Sequence, residues 1–177
     1  MATPHPDLEL RFPRIDEEAQ FLHAHRATTP GYPNFLHYHA EGMAFADYLQ
    51  TLREQQQGLN LPSPRHVASS FLFAFDGARI VGRVSIRHRL NQFLLRNGGH
   101  IGYVVVPGYR HRGYATAILA KAIAIARDEL GIARALLTCN EDNAASIKVI
   151  ERNGGVLDGF SDEFSPRVRR YWIDAPR

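Results

Sequence analysis

One cysteine, Cys139, stands in a chain of 177 residues, so no internal disulfide can form. No stretch is long and apolar enough to span a bilayer, and the start, MATPHPDLEL, lacks the charged-then-apolar design of a secretion signal. The expectation is a cytoplasmic protein with no membrane partner. Repeats and low-complexity tracts are missing as well. The 21 Lys and Arg, against 18 Asp and Glu, are spread along the sequence rather than gathered in a tail. A formal charge of +3 and a pI near 9.2 therefore permit a nucleic-acid partner without indicating one. What remains is an ordinary globular composition, 45% apolar and 22% charged, at a length that supports one substantial core rather than two. Residues 1–177 are read as one domain.

The hydrophobic spacing predicts a strand at 8–12 and helices at 16–27 and 43–57, the second from Phe45, Tyr48, Leu49 and Leu52 at helical intervals. Between these helices, 28–42 is rich in proline and glycine and reads as a loop. SSFLFAF and RIVGRVSIRH flank Asp76-Gly77 and read as a hairpin. The segment RLNQFLLRNGG is ambiguous between core and cover for a ligand site, Phe93, Leu94 and Leu95 included. A strand at 100–106, a helix at 113–130, a strand at 134–139 and a helix at 143–153 follow, then two more strands. The fold class is thus α/β (α+β). It is a mixed, mostly antiparallel sheet with helices on both faces and one central parallel β-α-β crossover at 100–139.

Within that crossover, YVVVPGYRHRGYATAILAKAI places Arg110, His111, Arg112 and Gly113 at the mouth of a helix directly after a strand. Helix mouths present unpaired N–H groups with partial positive charge, and small residues such as Gly113 and Ala115 let oxygen atoms approach the backbone. Phosphate is the natural guest, with Thr116 adding a hydroxyl. Neither G-x-x-x-x-G-K-[ST] nor G-x-G-x-x-G occurs, so the phosphate loops of nucleotide hydrolases and dinucleotide enzymes are excluded. The plain alternative is a strand-to-helix turn with solvated arginines.

Arg110-His111-Arg112-Gly113-Tyr114-Ala115 resembles the Q/R-x-x-G-x-G/A signature of the GNAT superfamily of acyl-CoA-dependent N-acyltransferases, and the apolar strand before it is similar to that family's. TCNEDNAASIKVIERNGG, residues 138–155, resembles the family's second pattern, with Asn143 and Ser146 in register and Gly154 closing the helix. The resemblance is strong over 100–155 and weaker elsewhere. It implies acetyl transfer from acetyl-CoA to a primary amine by direct attack in a ternary complex, with no metal cofactor. It also implies that main-chain groups of Tyr103, Val104, Val105 and Val106 bind the pantetheine arm. By the same resemblance, Arg110, His111, Arg112, Gly113, Tyr114, Ala115 and Thr116 surround the pyrophosphate, and a backbone N–H near Val105 holds the thioester carbonyl. Asn143 would bond the cofactor arm or a water; as a residue type it equally suits a helix N-cap. The acceptor is a small-molecule, peptide or protein amine of unidentified structure, and a homodimer is compatible with the family.

One departure concerns the leaving thiolate. Many family members carry a tyrosine four residues after the small residue of the second pattern, where Ile150 stands here. An isoleucine donates no proton, which leaves water, Tyr103, Cys139 or Ser146 for that work. His100, opening the central strand with a side chain that titrates near neutrality, is the candidate base, or else a hydrogen-bonded histidine of the sheet. Glu41 and Asp47 are candidates to attract a cationic amine.

Other constellations compete weakly. His23 and His25 point apart on a helix, and His37 with His39 lacks a third ligand in sequence, so no metal is expected. Arg169, Arg170, Tyr171 and Trp172 raise base stacking beside phosphate contacts, and a sheet strand explains them equally. The readings kept beside the transferase are a non-catalytic coenzyme A sensor, because of Ile150, and a basic RNA-associated module, because of the pI.

Overall fold

The computed structural model describes residues 5–32 and 35–174; positions 33–34 of the expected 28–42 loop and the two chain ends lie outside the described residues. The elements follow the expected order. They are β1 (Leu8–Arg11), α1 (Glu18–Thr28), α2 (Phe45–Gln57), β2 (Ser69–Asp76), β3 (Arg79–Arg87), α3 (Gln92–Arg96), β4 (Ile101–Val105), α4 (Tyr114–Asp128), β5 (Arg134–Asn140), α5 (Ala144–Arg152), β6 (Val156–Ser161) and β7 (Val168–Asp174). The ambiguous segment becomes the short helix α3, capped by Asn91, whose side chain accepts the Leu94 N–H at 2.9 Å.

The strands form two sheets, β1-β2-β3-β4 and β5-β7-β6, and every ladder among the described residues is antiparallel. The expected parallel pair of 100–106 with 134–139 is therefore corrected: no hydrogen-bonded ladder joins β4 to β5. The sheets touch just before β4, where the His100 N–H donates to the Leu136 carbonyl at 2.7 Å and the Leu136 N–H donates to His100 Nδ1 at 2.9 Å. Thr138 Oγ1 accepts the Gly98 N–H at 2.8 Å. Beyond these bonds the strands part, and β4 is left as the edge of its sheet.

Gly99 makes this junction. Its φ is +59°, a left-handed conformation that side chains resist, and a Cβ there would collide with the Leu136 carbonyl. Only a glycine lets the two backbones come this close.

Helices cover both faces. On one, α1 and α2 bury Phe21, Phe45, Tyr48, Leu49 and Leu52 against Phe71, Phe73 and Phe75 of β2, the α2 set falling on the intervals expected from sequence. On the other, α4 lays Ala117, Ile118, Ala122 and Ala126 against Val84, Ile86 and Ile101. The alanines bring the α4 axis close to the sheet, and α4 begins a few residues after β4 ends. The mouth of α4 thus sits beside the open strand edge.

Gly99→Ala is expected to lower unfolding stability by about 2–4 kcal/mol, combining left-handed strain with overpacking against backbone. Urea denaturation of the variant beside the parent chain measures it.

Candidate active site

At the parting of β4 and β5 lies a cavity of about 620 Å³. Gly102 and Tyr103 of β4, Leu137 and Thr138 of β5, and Ser146 and Ile150 of α5 line its inner end. Arg83, Ser85 and Arg87 of β3 form its floor, and Tyr38, His37, His66 and Phe93 contribute from loops and α3. Tyr38 is itself in a left-handed conformation, φ 72°, as the chain turns over the cavity.

The loop expected to receive phosphate has the required geometry. Gly113 is the N-cap of α4 with φ +86°, and no side chain caps this helix. The first turn of a helix has no intrahelical acceptor for its amides, and the first bond closing on the cap runs from Ala117 N–H to Gly113 O at 3.2 Å. His111 is left-handed too, φ 60°, and Arg110, His111 and Arg112 are exposed around the amides. Arg110 Nε donates to the Val105 carbonyl at 3.2 Å, and the Arg112 guanidinium lies 5.9 Å from the Tyr109 ring. Tyr114 is buried and donates to Asp76, which fixes the first turn to the β2–β3 hairpin. Ala115 and Thr116 are half-buried in that turn.

The candidate proton-transfer groups separate clearly. Tyr103 lines the cavity; burial pushes its phenol up to about 12, with Ser146 beside it pulling the other way. Its buried hydroxyl has no hydrogen bond of ordinary geometry. Ile150 is buried at the cavity wall, so the position left vacant of a tyrosine is filled by hydrocarbon. Cys139 is half-buried, and burial pushes its thiol up to about 11, which keeps it protonated near neutrality. It is not among the residues lining the cavity.

His100 lies at the sheet junction instead. With Nδ1 accepting the Leu136 amide, the neutral ring carries its proton on Nε2. Only 8% of the residue is exposed, and burial, with Arg87 adding to it, pushes the ring down to about 4. Asn143 serves as the N-cap of α5, its Oδ1 accepting the Ser146 N–H at 3.0 Å. The side chain of Asn143 is exposed and does not line the cavity; that of Ser146 does.

Glu41 is exposed on an adjoining hollow, and Asp47 is exposed on α2; neither reaches the cavity between the strands. His25 meets His39 and His37 meets His66, each pair 6.3 Å apart by ring centroids, and no group of three metal-ligating side chains forms among the described residues. His23 is exposed. Phe93 and Leu94 line the cavity and Leu95 does not. In β7, Tyr171 is buried in the core, Arg170 is held by Asp158 at 3.2 Å, and Trp172 packs against His100 and the Arg134 guanidinium. That strand is the middle of a sheet, not a stacking platform.

The sequence reading missed Arg83, Arg87 and His66. The signal was present in Arg83-Val-Ser-Ile-Arg87, whose strict polar–apolar alternation normally marks a strand with one solvated face. Here the polar face is roofed by the chain between α1 and α2.

An acetyltransferase family model, described as the Acetyltransferase (GNAT) family, matches residues 23–155. The chain belongs to the GNAT acetyltransferase family. Among curated proteins it is 28% identical over 72 residues to an uncharacterized N-acetyltransferase, YnaD, of Bacillus subtilis (strain 168). That match spans 41% of this chain and 42% of the relative's length. Among solved structures, a ribosomal-protein alpha-N-acetyltransferase in complex with coenzyme A superimposes with TM-score 0.67 at 18% identity, covering 97% of each chain. A microcin self-immunity acetyltransferase in complex with acetyl-CoA and AMP gives 0.65 at 16% identity over 97% of this chain and 94% of that one. A spermidine N-acetyltransferase SpeG chimera from Vibrio cholerae and hSSAT gives 0.64 at 15% identity, covering 96% of each. At these identities the superpositions establish the GNAT fold. No helix among the described residues is long and apolar enough to cross a membrane.

The His100 geometry sets a pH dependence. The folded ring titrates near 4 and the unfolded ring near 6.5, so between these values the unfolded chain binds a proton that the native chain refuses. Stability is expected to fall as pH drops through that window. His100→Gln, although less stable, should show a shallower fall of the urea midpoint between pH 6.5 and 4 than the parent chain.

Proposed function

We propose that this protein transfers an acetyl group from acetyl-CoA to an amine bound in the cavity between β4 and β5. The observation that carries the reading is the juxtaposition of an open strand edge, a cavity lined by Gly102 and Tyr103 of that strand, and an uncapped helix mouth a few residues beyond the strand's end. An edge strand offers unpaired main-chain groups to an extended ligand. Backbone of Tyr103 to Val106 would hold the pantetheine arm, and the amides of Arg112 to Thr116 the pyrophosphate, with Arg110 and His111 adding charge around it. Residues 1–177 act as one domain in this reading, since both core clusters are built on the same strands.

Acetyl-CoA supplies an activated acyl thioester, and the chain orients it and handles protons. A main-chain N–H near Val105 polarises the carbonyl. Tyr103 is neutral at physiological pH, and its unpartnered hydroxyl donates to the departing thiolate. A phenol near 12 holds its proton more tightly than a thiol, so it stabilises the thiolate by hydrogen bonding rather than by surrendering a proton. Ser146, beside it, orients that hydroxyl. His37 takes the proton of the attacking amine: it lines the cavity, and burial together with Arg83, His66 and Arg87 keeps its ring below the usual histidine range and thus neutral. His100 acts as the junction residue and not as the base.

Two measurements test this. Gly113→Asp puts a carboxylate at the helix mouth and is expected to lose the thermal stabilisation by acetyl-CoA, whereas Gly113→Asn, tolerant of positive φ and uncharged, should keep most of it; equal stabilisation in both variants contradicts the loop assignment. Tyr103→Phe is expected to lower kcat about 100-fold with the acetyl-CoA shift unchanged. Cofactor stabilisation without thiol release for any amine would favour the sensor reading raised by Ile150.

A further inference from the structure

The floor of the cavity is cationic in a way that acetyl transfer by itself does not require. Arg83 is 4% exposed, and its guanidinium lies over the rings of Tyr32 and Phe71, 5.2 and 4.8 Å from their centroids, with Nε donating to the Phe35 carbonyl at 3.1 Å. Four residues on, past Ser85, Arg87 places Nη1 on the carbonyls of Gly98 and Gly99 at 3.0 and 3.1 Å. Arg65 adds a third guanidinium and His37 and His66 add imidazoles, and among the described residues no Asp or Glu lines the cavity.

A guanidinium keeps its proton at any physiological pH, so these charges are permanent. Carbonyls and aromatic faces satisfy donors and lower the cost of burial, but they do not neutralise a charge. The β3–β4 register sets Arg83 opposite Val104 and Ser85 opposite Gly102, one strand away from the edge where the thioester carbonyl would lie.

We propose that the acceptor is a small amine that also carries an oxyanion, carboxylate or phosphate, and that Arg83 and Arg87 bind this group. The proposal rests on the acetyl-transfer reading of the cavity. An oxyanion complements a lining that holds three arginines and two histidines, and guanidinium groups bind both anions through paired N–H donors. The same field repels polyamines and lowers the pKa of the bound amine, which favours the neutral nucleophile that attack on the thioester needs. Phe71, Tyr38 and Phe93 give the ligand an aromatic wall, so L-phenylalanine is the carboxylate probe of choice.

Thiol release with saturating acetyl-CoA is compared within matched pairs: L-phenylalanine against L-phenylalaninamide for a carboxylate, and O-phosphoethanolamine against ethanolamine for a phosphate. The expected result is a kcat/KM at least about 30-fold higher for the anionic member of one pair, the size of a buried charge-assisted contact. Which pair shows it separates the two sources. Arg87→Gln should erase the preference while retaining the acetyl-CoA thermal shift, and Arg83→Lys should weaken it if Arg87→Gln does not fold. A second arm reads equilibrium binding of N-acetyl-L-phenylalanine and of phosphate, against N-acetyl-L-phenylalaninamide, without any transfer. Equal rates within both pairs, a preference for the neutral members, or no anion-dependent binding at millimolar concentration overturns the proposal. Failure of acetyl-CoA to bind would instead defeat the transferase reading, and the second arm would still decide the charge preference.

Discussion

The structure depends on one short contact between two sheets. His100 and Leu136 bond to each other through backbone and ring, Gly99 permits the approach, and immediately afterwards β4 and β5 separate. Were the strands to pair along their length, the sheet would be continuous and closed. Because they part, β4 keeps an unpaired edge, α4 begins a few residues beyond the end of that strand, and the space between β4 and β5 becomes a cavity. Burial of His100 in neutral form is the cost of holding the junction dry.

The two sides of the resulting site use different physics. Toward α4 the contacts on offer are main-chain amides and a helix dipole, which recognise phosphate and an extended arm without depending strongly on side chains. Toward β3 the contacts are guanidinium groups in an aromatic setting, whose charge is strengthened by exclusion of water. In the proposed reading, a donor common to the whole family would be met by backbone and the acceptor by the guanidinium groups of β3. The fold fixes the first and leaves the second to sequence.

In the proposed reading, Tyr103 takes over from β4 a role for which α5 offers only Ile150. Both line the same cavity, one from β4 and one from α5. With isoleucine filling the α5 position, the phenol on β4 is the group left with an unpartnered hydroxyl. An orphaned buried donor carries a desolvation cost that a bound acceptor relieves, which is why such a group points to a ligand rather than to stability.

The element order, the apolar face of α2, the hairpin at Asp76-Gly77 and the glycine at the α4 mouth were all legible in the sequence, because periodicity, turn chemistry and positive φ are set by neighbours in the chain. The family patterns around Gly113 and Asn143 are equally local. What sequence could not settle were relations between distant segments. Whether β4 and β5 pair or part depends on the approach of Gly99 to Leu136, 37 positions further along the chain. Whether His100 is a base or a brace depends on the same contact. The polar face of Arg83-Val-Ser-Ile-Arg87 reads as solvated until the α1–α2 connection is laid over it. Local sequence determined the helix mouth that would take the donor in the proposed reading; tertiary packing alone decided the cationic floor that would take the acceptor, since only packing determines which charges lose their water.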